Sequence, residues 1–231
     1  MDEAKGTINA GQLAKFLDKL DIDVDKNSEA LMTVDDTGVL QTGIVNDSKI
    51  LLGIGYLDTN LPKMQIPVAH FHKLKDVVST FKGDIEISVE DRLIMKGKNT
   101  KKVPLTRWGP SLNKIKSNFD DSTENASPVS LEKNEIDILT QDISIFDKIT
   151  EVFFIVKDKQ LTIRMIDDVK LESETVIDNV LLKDGEYIVP TLAFKILRKV
   201  DNIEIFFNKS FMYLRDKGDG YTVEYLLATK E

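Results

Sequence analysis

Two short stretches far apart in the chain, Gln12–Leu20 (QLAKFLDKL) and Thr191–Val200 (TLAFKILRKV), carry the same pattern. At about 100° per residue, the α-helical period, Leu192, Ala193, Ile196, Leu197 and Val200 gather on one face and Lys195, Arg198 and Lys199 on the other. Leu13, Phe16, Leu17 and Leu20 fill the same apolar register, and Lys15 and Lys19 fall where Lys195 and Lys199 fall, so the stretches superpose at an offset of 180 residues. A third helical pattern, Val68–Phe81, brings Leu74, Val77, Val78 and Phe81 together with His72, Lys73 and Lys75. Formal charge is +1 over Asn9–Leu20, +2 over Val68–Lys82 and +3 over Pro190–Val200, in a chain of net charge −8. The remainder therefore carries −14. Lysine decorates any solvated helix face, but three helices sharing one sign against the charge of the whole call for more than decoration.

Working outward, the stretch between the helices breaks once. Gly109–Ser130 contains two prolines, five serines and Asp120-Asp121, an aperiodic polar composition that reads as a connecting loop. It predicts an N-terminal domain over 1–108, a connecting loop over 109–130 and a C-terminal domain over 131–231. The two halves resemble each other. Ile85-Glu-Ile, then Arg92–Lys98, then Val103-Pro-Leu recur as Ile203-Glu-Ile, Ser210–Lys217 and Val223-Glu-Tyr, and Glu29–Leu40 matches Glu151–Leu161. A period this long, seen twice, indicates domain duplication rather than a solenoid. Strand-like runs such as Val152–Lys157, Gln160–Ile166, Asn202–Phe207 and Phe211–Leu214, with turns at Asp36-Thr-Gly38 and Gly218-Asp-Gly220, favour antiparallel meanders. The fold class expected is α+β.

Composition removes several function classes. The chain has 231 residues, 42% of them hydrophobic, and no cysteine, which excludes disulfides, thiolate zinc sites and a cysteine nucleophile. There is no basic-then-apolar leader and no run of about 18 apolar residues, so a soluble cytoplasmic protein without membrane partners is expected, and the Asn-x-Ser matches at Asn46, Asn125 and Asn208 read as chance. An acidic exterior disfavours indiscriminate binding to polyanions. Asp35-Asp36, Asp120-Asp121 and Asp167-Asp168 could suggest metal-assisted hydrolysis. Aspartate is equally favoured by turn geometry, and neighbours on a strand point to opposite faces. His70 and His72 lack a third ligand nearby, and Gly53-Ile-Gly55 lacks the Lys-Ser/Thr of a P-loop. No enzyme, catalytic residue, metal site or cofactor is expected.

A duplicated domain, a polar connector and helices with one basic face resemble the DNA sliding clamps, in particular the two-domain clamps typified by proliferating cell nuclear antigen and the T4-like phage clamps. Tyr221–Lys230 (YTVEYLLATK) is similar to that family's closing strand, and Ala30–Val39 (ALMTVDDTGV) resembles its first-domain hairpin. The short, diverged sequence looks more like a bacteriophage clamp than a cellular one, which would put it in the host-cell cytoplasm. The resemblance implies two duplicated clamp-type domains, each with two helices packed on antiparallel sheet. Three chains would then close a six-domain homotrimeric ring around double-stranded DNA. It implies a processivity factor for DNA replication that tethers a DNA polymerase and is opened by a clamp loader ATPase. On this reading Lys15, Lys19, His72, Lys73, Lys75, Lys195, Arg198 and Lys199 contact DNA without reading sequence.

The family's partner pocket maps onto Val34 and Val39, the loop apolars Leu112, Ile115 and Phe119, and Leu226 and Ala228. Its subunit joints map onto edge strands at Lys101–Trp108, where Pro104 cannot donate to a ladder, and at Val169–Val176. One segment departs from the pattern. The helix expected over Leu131–Asp147 exposes Glu132, Glu135, Asp137, Asp142 and Asp147 against Lys133 alone. Either it tilts away from DNA, or the channel is only partly basic, or the assignment is wrong. The alternative is a β-rich viral structural or scaffold protein that assembles through edge strands and never binds DNA; duplication and acidity suit both, and the basic helix register is what separates them.

Overall fold

Alternation of buried and exposed side chains runs through most of the chain. Ala30, Met32 and Val34 point inward while Leu31 and Thr33 are half-exposed, and Leu161, Ile163 and Met165 do the same in the second half. The period of two commits these segments to sheet with one covered face. A computed structural model of the chain describes residues 5–22, 29–45, 51–106, 129–131, 133–146, 149–180, 183–200, 202–207 and 210–229. It divides into two compact units that change over between residues 117 and 118, with Gly218–Val223 counted in the first.

In the first unit β1 (Lys5–Asn9) leads into α1 (Ala10–Leu20). Strands β2 (Ala30–Val34), β3 (Val39–Val45), β4 (Leu51–Asp58) and β5 (Met64–Val68) follow, then α2 (Phe71–Ser79), β6 (Asp84–Val89), β7 (Arg92–Lys96) and β8 (Thr100–Pro104). The strands form two antiparallel sheets, ordered β1-β6-β7-β8 and β5-β2-β3-β4. In the second unit β9 (Val129–Leu131) precedes α3 (Lys133–Ile145). Then come β10 (Ile149–Lys157), β11 (Gln160–Asp167), β12 (Glu172–Ile177), β13 (Gly185–Ile188), α4 (Leu192–Leu197), β14 (Ile203–Phe207), β15 (Phe211–Gly218) and β16 (Tyr221–Ala228). Their orders are β9-β14-β15-β16 and β13-β10-β11-β12. The two units thus repeat one topology. The strand before the first helix pairs with the strand after the second, and the four strands between the helices make the other sheet.

This repeat confirms the duplication and corrects one detail of it. The equivalent of α1 is α3, and that of α2 is α4. The helical register shared by Gln12–Leu20 and Thr191–Val200 therefore joins helices from different positions of the repeat. Only three charges separate those faces in a short window, and likeness of that size arises from amphipathicity alone. The helix expected over Val68–Phe81 is shorter because Met64–Val68 pairs with β2 as a strand, with Pro67 opposite Leu31. The second-unit helix ends at Leu197, with Arg198 as its C-cap.

Local chemistry accounts for the helix starts and turns. Asn9 caps α1 by accepting a hydrogen bond from the Gln12 amide at 3.1 Å, satisfying a donor that the first turn cannot. Asp35 Oδ1 accepts from the Thr37 amide, the Thr37 hydroxyl and the Val39 amide, and Asp167 Oδ1 accepts from the Val169 and Leu171 amides at 2.9 and 2.8 Å. These two carboxylate pairs build turns; Asp120-Asp121 lies outside the described residues. Gly53 and Gly55 are where α1 lies on β4. A Cβ at Gly55 would sit 2.7 Å from Phe16 and Leu20, and one at Gly53 would sit 2.8 Å from Ile44. The glycines of Gly53-Ile-Gly55 are packing residues. Among the described residues no helix is long and apolar enough to cross a membrane.

Candidate nucleic-acid interface

The cations expected to contact DNA fall on or just past three of the four described helices. In the second unit, α4 buries Leu192, Ala193, Phe194, Ile196 and Leu197, which leaves Lys195 and Arg198 exposed and Lys199 half-buried just past the helix end. Cations at a helix C-terminus meet the negative end of its dipole, so Lys195 and Arg198 sit where the backbone favours them. In the first unit, Lys73 is exposed on α2 opposite the buried Phe71, Leu74 and Val78.

The remaining first-unit cations are differently placed from what the register suggests. Lys19 is only 3% exposed. Its ammonium lies 5.0 Å from the centre of the Tyr221 ring, and that of the exposed Lys15 lies 5.7 Å from the same ring. Expecting Lys19 on a solvated face was wrong because Tyr221, just beyond the Gly218-Asp-Gly220 turn, covers it. An ammonium over an aromatic face is attracted by the ring, and here that contact keeps Lys19 away from solvent.

His72 and Lys75 are committed to α1. The Asp21 carboxylate, the C-cap of that helix, is hydrogen-bonded to His72 Nδ1 at 3.0 Å and paired with Lys75 Nζ. Asp18 lies 3.5 Å from the same ammonium, and Asp76 lies 3.6 Å from His72 Nε2. Burial by itself pushes the Asp21 carboxyl up, yet hydrogen bonds from Lys75 and His72 reverse this and hold it below its usual value. Burial likewise opposes the charge on Lys75, and the bond to Asp21 raises it overall. This corner of the helix pair brings three carboxylates to one ammonium and one imidazole. Sequence reasoning missed both Asp21 and Tyr221. Each lies outside the three amphipathic stretches, and each acts on a residue distant in the sequence.

The helix expected over Leu131–Asp147 runs from Lys133 to Ile145, Leu131 belonging to β9, and Glu135 is half-exposed. Along α3 the described exposed side chains are Lys133, Asn134, Asp137, Ile138 and Gln141, and Lys133 is paired with Asp137 at 3.3 Å. Among its described side chains α3 offers no net positive charge. The side chains of Glu132, Asp142 and Asp147 lie outside the described residues.

No protein-family model matches the chain, and no curated protein matches it. Solved structures do. Proliferating cellular nuclear antigen from Entamoeba histolytica aligns with a TM-score of 0.73 at 15% identity, over 99% of this chain and 98% of that one. A. fulgidus PCNA, solved with the C-terminal region of FEN-1, gives 0.76 at 15% identity over 99% and 98%. DNA polymerase III subunit beta from Pseudomonas aeruginosa gives 0.75 at 12% identity over 99% of this chain and 66% of that one. The fold is that of the DNA sliding clamps. The chain spans nearly the full length of the PCNA structures and about two thirds of the bacterial subunit.

The clamp-type partner residues are only partly available. Val34 and Leu226 are buried, each within the sheet of its own unit, and present no surface, while Val39 and Ala228 are half-exposed. Leu112, Ile115 and Phe119 lie outside the described residues. Both proposed joint segments contain the end strand of a sheet. β8 ends the order β1-β6-β7-β8 and β12 ends the order β12-β11-β10-β13. The first segment is shorter than expected, because Leu105 bridges Val68 and the Thr106 amide donates to the Pro67 carbonyl at 2.9 Å. Along β8 the exposed residues are Thr100, Lys101, Lys102 and Pro104. Around β12 they include Glu172, Glu174 and Val176, with Val169 in the preceding turn 77% exposed.

Proposed function

We propose that this chain is a DNA polymerase processivity factor, a clamp that closes as a homotrimer around duplex DNA and slides. The observation that carries the reading is the exposed face of α4 and its C-cap, which is purely cationic, whereas on α1 and α2 exposed Lys15 and Lys73 are matched by exposed Asp18 and Asp76. Lys73, Lys195 and Arg198 stand on the helices of a clamp fold whose overall charge is −8. Scattered phosphate contacts of this kind give a weak, sequence-independent and salt-sensitive hold. Topological linkage, not affinity, keeps such a ring on DNA.

The edge strands support closure. β8 exposes two lysines and β12 two glutamates beside apolar Val169 and Val176. A β8 edge of one copy laid against a β12 edge of the next would join opposite charges and cover both of those edges, a head-to-tail contact that closes when the rotation allows it. On this reading a polymerase docks near Val39 and Ala228 by a short apolar-anchored peptide, an ATPase loader opens the ring, and the protein works in the cytoplasm, the host's if it is viral. The test is solution mass. A species of three 26.1 kDa chains supports the clamp, whereas a monomer or an open polymer favours a scaffold that assembles through its strand edges.

A further inference from the structure

We propose that Asp21 sets the strength of the DNA hold: its covered carboxylate holds back Lys75 and His72, donors that a backbone phosphate would otherwise meet. The inference rests on the clamp reading and deepens it. A carboxylate and a phosphate oxygen ask for the same thing, short charge-assisted bonds from cationic donors. Lys75 supplies such a donor and His72 a ring N–H from one helical face, three positions apart, and Asp21 accepts from both. The carboxylate is 6% exposed, and Lys75 is 19% exposed, little for a lysine, whereas Lys73 on the same helix is open.

The location of Asp21 argues against plain stitching of α1 to α2. It is the C-cap of α1, where the helix dipole is unfavourable to an anion. A buried ion pair seldom outperforms an apolar contact of the same volume as a fastener. The pair changes the charge seen by an approaching duplex, since the carboxylates of Asp18, Asp21 and Asp76 gather around the Lys75 ammonium and the His72 ring. For a ring retained by linkage, each further neutralised phosphate adds friction without adding retention. Holding Lys75 in reserve keeps the inner charge low.

The experiment measures anisotropy of a labelled linear duplex of about 30 base pairs at pH 7.5 over a range of salt. The trimeric wild type is compared with Asp21→Asn, with Asp21→Asn/Lys75→Ala, and with Lys195→Ala/Arg198→Ala/Lys199→Ala. Releasing Lys75 should tighten binding several-fold and steepen the slope of log affinity against log salt by about 0.9, the value of one phosphate contact. Removing Lys75 as well should cancel that gain. An unchanged slope in Asp21→Asn, with a shallower one in the Lys195/Arg198/Lys199 variant, overturns this inference and leaves the clamp reading standing. No slope difference among any of the proteins overturns both. Should Asp21→Asn fail to fold, the wild type still decides. Duplex should shift the NMR signals of the Lys73 side chain and leave those of Lys75 unmoved; comparable shifts in both overturn the proposal.

Discussion

Asn9, Gly55 and Asp21 each act at a single point of the first unit. Asn9 stands at the start of α1, where its side chain accepts from the Gln12 amide. Asn9→Ala should therefore cost about 1 kcal/mol of stability in urea unfolding, the usual effect of losing an N-cap. Gly55 lies beneath Phe16 and Leu20. Gly55→Ala should cost about 1–3 kcal/mol by overpacking, although alanine is ordinarily no worse than glycine in a strand, and the same measurement checks it. Asp21 has a depressed carboxyl pKa. Its contribution is complete above the ordinary value of 3.8 and fades as pH falls through the lower folded value. Acid unfolding curves should show this dependence in the wild type and a weaker one in Asp21→Asn. Identical curves would mean that the Lys75 and His72 bonds do not stabilise the charged form.

At the scale of elements, the charge reading is borne chiefly by α4, since on α2 the exposed Lys73 is offset by the exposed Asp76. Lys195→Ala/Arg198→Ala/Lys199→Ala should lower the salt slope of DNA binding by up to about 2.7, at about 0.9 per phosphate contact. The stability cost in thermal unfolding should be small, because Lys195 and Arg198 are exposed and their contact with the helix dipole is worth about 0.3–1 kcal/mol each. The strands, the duplication and the turns at Gly38 and Gly220 could be read from the sequence because period-two burial and turn residues are local signals. The exposure of Lys195 and Arg198 was legible for the same reason, set by the 3.6-residue register of their own helix. What could not be read is the fate of Lys19, His72 and Lys75. Each is decided by Tyr221 or Asp21, partners outside the helix itself, and helical periodicity cannot tell an open lysine from one covered by a distant ring or carboxylate. The equivalence of α1 with α3 was hidden for a related reason. Topology is preserved between the repeats while surface charge is free to invert, and Glu135 and Asp137 of α3 stand against Lys15 and Lys19 of α1.

For the whole molecule the claim is closure. Opposite charges on β8 and β12 give it a specific form. Glu172→Lys/Glu174→Lys should break the trimer by setting like charges against Lys101 and Lys102. Adding Lys101→Glu/Lys102→Glu should restore it, as read by light scattering. Charge reversal that leaves the mass untouched in both proteins would show that the joint lies elsewhere. Linkage itself is tested most directly by retention. After loading on a nicked circular duplex and passage through a sizing column at high salt, a closed clamp stays with the circle and is lost once a single cut makes the DNA linear. Equal loss from circle and line, or equal retention on both, would contradict encirclement and leave only surface binding.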